Sequence, residues 1–198
     1  MSNYWATFEC IGGDVFRFDT RIYIHPTTKL KNTDTCIGAV AGVNPGSGIP
    51  LGGVYNIPVE IDLDGDNLLP CVKSIISKAA THANITIPPN SYIQVLNIMY
   101  ICDKNLTSAI NKINNHPNPK TCTTETNFFP FIWYVWGNSK KELNNFKNRF
   151  DSINAGCHFF YHTKENKFLT NQPKLKEPAR HTQGLKHDLV VTRISLCL

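Results

Sequence analysis

Four short, almost unbroken apolar runs punctuate the chain, each closed by turn-forming or polar residues. They are Cys36–Val43 before Asn44-Pro45-Gly46-Ser47-Gly48, Tyr92–Leu96 before Asn97, Phe131–Val135 before Trp136-Gly137-Asn138, and Cys157–Tyr161. Runs of this length without polar alternation fit strands covered on both faces, as in a parallel sheet. Between them apolar positions recur at helical spacing: Leu68, Leu69, Val72, Ile75, Ile76 and Ala79 within 67–84, with similar stripes in 104–114 and 140–150. The alternation predicts right-handed crossovers and a three-layer α/β/α domain around a central four-stranded, mainly parallel sheet. Upstream, 7–24 reads as an antiparallel hairpin turning at Gly12-Gly13. The polar, proline-bearing stretches 114–127 and 163–178 read as loops. The 198 residues fit one domain, with the hairpin leading into a core over about 36–190. Ligands of open α/β sheets bind beyond the carboxyl ends of the strands, so Asn44, Asn97 and Trp136-Gly137 are expected on one rim.

Composition changes this picture little. A net charge of +5 suits an anionic partner without naming one. Seven scattered cysteines form no CxxC and no zinc-finger spacing with histidine, which fits reduced thiols rather than a metal site or disulfide framework. No run approaches the ~18 apolar residues of a membrane span. Met-Ser-Asn-Tyr-Trp lacks the basic-then-apolar pattern of a signal peptide. The expectation is a soluble, cytoplasmic monomer with no membrane partner.

The candidate chemistry clusters after the apolar runs. In Gly42-Val-Asn-Pro-Gly-Ser-Gly48 the glycines let backbone N–H groups approach a ligand, although the same residues also make a plain strand-to-helix turn. The segment is neither a Walker loop nor a GxGxxG turn. Asp62-Leu-Asp-Gly-Asp66 lacks the spacing and terminal Glu of a calcium loop and reads as a solvated turn.

Gly42-Val43-Asn44-Pro45-Gly46 resembles the first catalytic motif of the mismatch-specific and thymine branch of the uracil-DNA glycosylase superfamily. Three further segments follow in that superfamily's order. Val95-Leu-Asn97 resembles the strand end that reads the flipped base, and Val135-Trp-Gly137 with Lys140 and Lys141 resembles its Leu-Trp-Gly strand end. His181-Thr-Gln-Gly-Leu185 resembles the His-Pro-Ser-Pro-Leu motif. Pro178-Ala-Arg-His181 is also similar to the Pro-Arg-His-Pro ending of the bacterial DUF1643 family. The resemblance covers about residues 36–190.

What it implies is a monofunctional DNA glycosylase, needing no cofactor or metal, in a prokaryotic or phage-related setting. Asn44 would position the attacking water, and His181 would hydrogen-bond the departing base. Gly42, Val43, Pro45, Gly46, Ser47, Tyr55 and Asn97 would contact the base. Arg180, Gln183, Gly184, Lys186 and His187 would contact DNA, with Leu185 as an apolar wedge. Gln183 and Thr182 depart from the motif's Ser and Pro, which puts a phosphate contact and the loop's rigidity in doubt. Each residue also has a plainer role: Asn97 as a turn former, His181 as a surface histidine, and Lys140, Lys141, Lys147 and Arg149 as a solvated helix face rather than a DNA-facing one. Gly46, Ser47 and Gly48 stand where uracil-selective members carry a bulky aromatic. A pocket without that wall should admit 5-substituted pyrimidines, with glucosylated hydroxymethylcytosine of phage DNA one candidate and uracil or thymine mismatches another. A non-catalytic nucleic-acid-binding module and an enzyme of free nucleotides are the alternatives from other classes.

Overall fold

A computed structural model describes residues 1–138 and 140–198. The strands are β1 (Ser2–Ile11), β2 (Asp14–Thr27), β3 (Thr35–Gly42), β4 (Ile49–Pro50), β5 (Pro58–Asp62), β6 (Ser91–Asn97), β7 (Ile132–Tyr134), β8 (His158–His162) and β9 (Lys167–Leu169). The α-helices are α1 (Leu68–His82), α2 (Leu106–Asn114), the single turn α3 (Asn144–Lys147) and α4 (His187–Ser195).

The expected three-layer α/β/α domain around a four-stranded, mainly parallel sheet is overturned. The described residues form one nine-stranded mixed sheet in the order β4-β5-β1-β2-β6-β3-β7-β8-β9. The pairs β4–β5, β5–β1, β1–β2, β2–β6 and β8–β9 are antiparallel, and β6–β3, β3–β7 and β7–β8 are parallel. The four apolar runs lie in the parallel part. The N-terminal hairpin is no appendage: it is longer than 7–24, and its β2 continues the sheet through Thr20↔Val95 to Tyr23↔Tyr92. Period-2 alternation marks β2 as a strand but does not say which neighbour it pairs with, so its place in the sheet was not readable from its own residues.

The sheet is covered on both faces. Val40, Val95, Trp133 and Phe159 face one way onto α1 and α4, burying Leu69, Val72, Ile76, Val190 and Ile194. Ala39, Ala41, Leu96, Ile132, Tyr134 and Phe160 face the other way onto α2 residues Ala109, Ile110 and Ile113. Successive residues of one strand thus serve opposite cores, as the pleat requires. Helix α4 was not expected from sequence. The stripe in 140–150 yields no continuous helix but two 3₁₀ turns flanking α3. Of its four basic residues Lys141 is exposed, but Lys147 and Arg149 do not belong to a solvated or DNA-facing row. Buried Lys147 lies over the Trp136 ring and donates to the Leu175 carbonyl, and Arg149 pairs with Glu125. Among the described residues no helix is long and apolar enough to cross a membrane.

Candidate functional site

The turn after β3 begins the site. The carbonyls of Gly42 and Val43 accept from Ile98 N–H and Met99 N–H, so the chain leaving β3 stays stitched to the chain leaving β6. Asn44 follows. Its Nδ2 donates to the Asp103 backbone carbonyl at 2.6 Å, and Gly46 forms a β-bridge with the same residue. Only the NH₂ of an amide can face a carbonyl oxygen, so this bond fixes which end of Asn44 is which. Oδ1 takes no hydrogen bond from the described residues. Asp103 itself is well anchored, with the Ser108 hydroxyl, then Asn105 N–H and Lys112, holding its carboxyl down at about 2.

Asn44, Pro45 and Gly46 form one wall of a pocket of about 360 Å³. The start of α1 supplies a second wall through Asp66, Asn67, Leu68 and Cys71. The loop entering α4 supplies the third, through His181, Thr182 and Gln183. The size suits a nucleoside-sized ligand, at the lower end of small-molecule sites. The fold therefore brings Asn44 and His181 to one cavity across more than half the chain.

His181 is held in a defined state. Its Nδ1 accepts the Gln183 backbone N–H at 3.2 Å, which leaves the proton of the neutral ring on Nε2. Burial pushes its pKa below the ordinary 6.5, and the nearby Asp66 charge works the other way. The result is a neutral imidazole carrying one N–H donor.

Asn97, at the end of β6, is 1% exposed, and neither Nδ2 nor Oδ1 has a partner. It shares a neighbour with Leu68: a Cβ on Gly42 would stand 3.3 Å from Asn97 Oδ1 and 3.6 Å from Leu68 Cδ2. Leu68 lines the pocket, whereas Asn97 does not. The Arg149 guanidinium donates to the Asn97 backbone carbonyl and holds the strand end in place. An amide buried with no partner costs ~1–3 kcal/mol, which is a reason to look for a ligand.

Other expected residues lie elsewhere. Ser47 Oγ donates to the Asp64 carbonyl at 2.9 Å and does not line the pocket. Tyr55 is 38% exposed on the 49–57 segment, with Ile49, Leu51, Val54 and Ile57, outside the pocket. Leu185 is 6% exposed and packed in the core with Val190 and Ile194, so it projects no wedge. Arg180 turns back to the Gly184 carbonyl at 3.0 Å and lies over Tyr161. His187 faces α1, with Nε2 3.6 Å from Cys71 Sγ and Nδ1 3.4 Å from Lys78 Nζ. Of the expected DNA contacts, Gln183, Gly184 and Lys186 are exposed.

Sequence reasoning missed Asp66 and Cys71. Asp66 Oδ1 accepts Leu68 N–H at 3.0 Å, as a residue at a helix start does. Its place just before the helical stripe was a legible signal, and Cys71 shares the face of Asn67 at i, i+4. Nothing in the sequence pointed to the partner of Asp66, Arg17 of β2. Among the described residues, no group of three or more His, Cys, Asp or Glu is placed to hold a metal ion. No protein-family model, curated protein or solved structure matches the chain.

Proposed function

We propose that this protein is a monofunctional DNA glycosylase that takes a flipped pyrimidine into the Asn44–His181 pocket and hydrolyses its N-glycosidic bond. The observation that carries the reading is the pairing, in one cavity, of an oriented side-chain carbonyl with a neutral N–H donor. Hydrolysis at C1′ passes through an oxocarbenium-like sugar, and the base leaves with the electron pair. Asn44 Oδ1 can hold a water on one side of the sugar. His181 Nε2–H can stabilise the charge that develops on the base oxygen, a fixed dipole in a partly water-excluded site. Asn97, once opened to the pocket, offers one donor and one acceptor to a pyrimidine edge. Gly46 presents no side chain to the pocket, and the space beyond it is open, which leaves room for a substituent at C5. The reading draws on the motifs and on this geometry; it does not draw on the sheet, whose mixed order differs from the expected one.

The test is incubation with DNA carrying uracil, a thymine mismatch, hydroxymethylcytosine or its glucosylated form, followed by alkali. Strand breaks at one substituted pyrimidine are expected. Absence of cleavage across the panel ends the reading.

A second reading, hydrolysis of free nucleosides, has a specific observation in its favour. Asp62 and Asp64 are exposed on the turn that leads into the α1 wall, where they repel phosphates of a duplex. Including free nucleosides in the same panel separates the two.

A further inference from the structure

The two residues that the sequence points to bring no charge to the pocket, yet the transition state they would serve is cationic. The structure supplies a charge from elsewhere. Asp66 lines the pocket with 8% of its side chain exposed, and its carboxylate is held from two sides. Leu68 N–H binds Oδ1 at 3.0 Å, and the Arg17 guanidinium approaches Oδ2 at 3.4 Å and 3.5 Å.

Arg17 is a costly support. It is 1% exposed, and its Nε has no partner. Gly48 makes room for it: a Cβ there would stand 2.5 Å from Arg17 Nη1 and 3.1 Å from Ile61 Cγ2. A buried ion pair is seldom the cheapest way to stabilise a fold, because desolvation offsets the attraction. Here the contacts to Oδ2 are long for a charge-assisted bond, commonly ~2.7–2.9 Å, so the carboxylate keeps acceptor capacity for another group. Three separate elements, β2, the Gly48 turn and the start of α1, converge to hold one carboxylate beside Asn44 and His181.

Resting on the glycosylase reading, we infer that Asp66 is the catalytic carboxylate of this pocket. As the C1′–N bond breaks, its pair of electrons leaves with the base and the sugar gains positive charge, which the Asp66 carboxylate stabilises. The water held by Asn44 Oδ1 then bonds to C1′. Its proton passes to Asp66 and from there to the departed base anion, so that base and abasic sugar are both neutral at the end. No further reactant is needed. An amide at Asn44 cannot take that proton; Asp66 can.

The experiment uses the full-length protein and Asp66→Asn, which preserves the helix-start acceptor while removing the charge. Expected is a fall in single-turnover rate of about 100-fold or more, within the ordinary range for an acid–base group, with DNA affinity kept. A binding measurement accompanies it, on duplexes carrying either a protonated pyrrolidine or neutral tetrahydrofuran in place of the target deoxyribose. The wild type should prefer the cationic analogue by about 10-fold, and Asp66→Asn should lose that preference. If Asp66→Asn unfolds, the double variant Arg17→Gln/Asp66→Asn, which replaces the ion pair by two neutral groups, takes its place with the same readouts. Wild-type turnover without a preference for the cation, or a preference that survives loss of Asp66, overturns the inference and leaves the glycosylase reading intact. A cation preference that depends on Asp66, in a protein inactive on every base of the panel, keeps the carboxylate's role and removes the glycosylase reading.

Discussion

The amide nitrogen of Asn44 and the backbone carbonyl of Asp103 lie 2.6 Å apart, so the loop after β6 dictates how the residue after β3 faces its pocket. The two loops run side by side because β3 and β6 are parallel neighbours, with Gly42 opposite Asn97. The orientation of the Asn44 side-chain carbonyl is therefore a property of two strand ends rather than of one turn.

Asn44→Ala should abolish base release while leaving DNA binding nearly intact. The fold loses one hydrogen bond, worth ~1 kcal/mol, so the melting temperature should fall by only a few degrees. Asn44→Asp should be worse for the fold, because a carboxylate would face the Asp103 carbonyl with no proton to share. Turnover of Asn44→Ala at the wild-type rate would remove Asn44 from the chemistry.

Replacing Asn97 by Leu should raise stability and remove activity together. Two unpaired polar atoms leave a buried site, a gain of ~1–3 kcal/mol, while the donor and acceptor for the base edge disappear. Thermal melts and the substrate panel check both halves. A destabilised Asn97→Leu would mean that the amide has a partner in the folded protein in solution.

Pocket width is best probed at Gly46, not Ser47. Gly46 lines the cavity with φ +70°, and a Cβ there meets nothing within 4 Å. Asn tolerates this backbone better than bulkier side chains, so Gly46→Asn should fold with a cost of ~1 kcal/mol or less. It should slow release of 5-substituted pyrimidines and spare uracil. Ser47→Ala, which loses only the bond to the Asp64 carbonyl, should leave base preference unchanged. Equal loss on all bases from Gly46→Asn, with the fold intact, would show that this wall does not face C5.

The rate should be flat above about pH 6.5 and fall on the acid side, because protonating His181 Nδ1 breaks its bond from Gln183 N–H. Burial keeps the folded pKa below 6.5, so below that pH the unfolded chain takes up protons first. Stability from this group is thus complete above pH 6.5 and declines as pH drops, and half-buried His158 acts in the same direction. His181→Gln should be slower and should lose the part of the acid limb that comes from His181, leaving the fall that protonation of Asp66 causes. An unchanged limb in that variant would place the titration elsewhere.

The residues themselves determined the strands that hold the site. Runs such as Cys36–Val43 and Phe131–Val135 have no polar face, so they can be satisfied only between two covering layers, and they announce this locally. The stripe from Leu68 to Ala79 fixed α1 in the same way. The three walls of the pocket could not be read so directly, because nothing in Asn44, Asp66 or His181 encodes that they meet. That meeting depends on which strands pair, and β2 joins β6 only through lateral hydrogen bonds that any alternating strand can offer. Its arrival in the sheet carries Arg17 beneath Gly48 and sets it against Asp66. It turns an acidic stretch that looks like a solvated turn into a held, buried carboxylate. Leu185 shows the converse: beside His181 in sequence it looks available to a partner, but the docking of α4 on α1 buries it. Local pattern decides what a segment can become, whereas burial, and with it charge state and chemistry, is decided by neighbours distant in the chain.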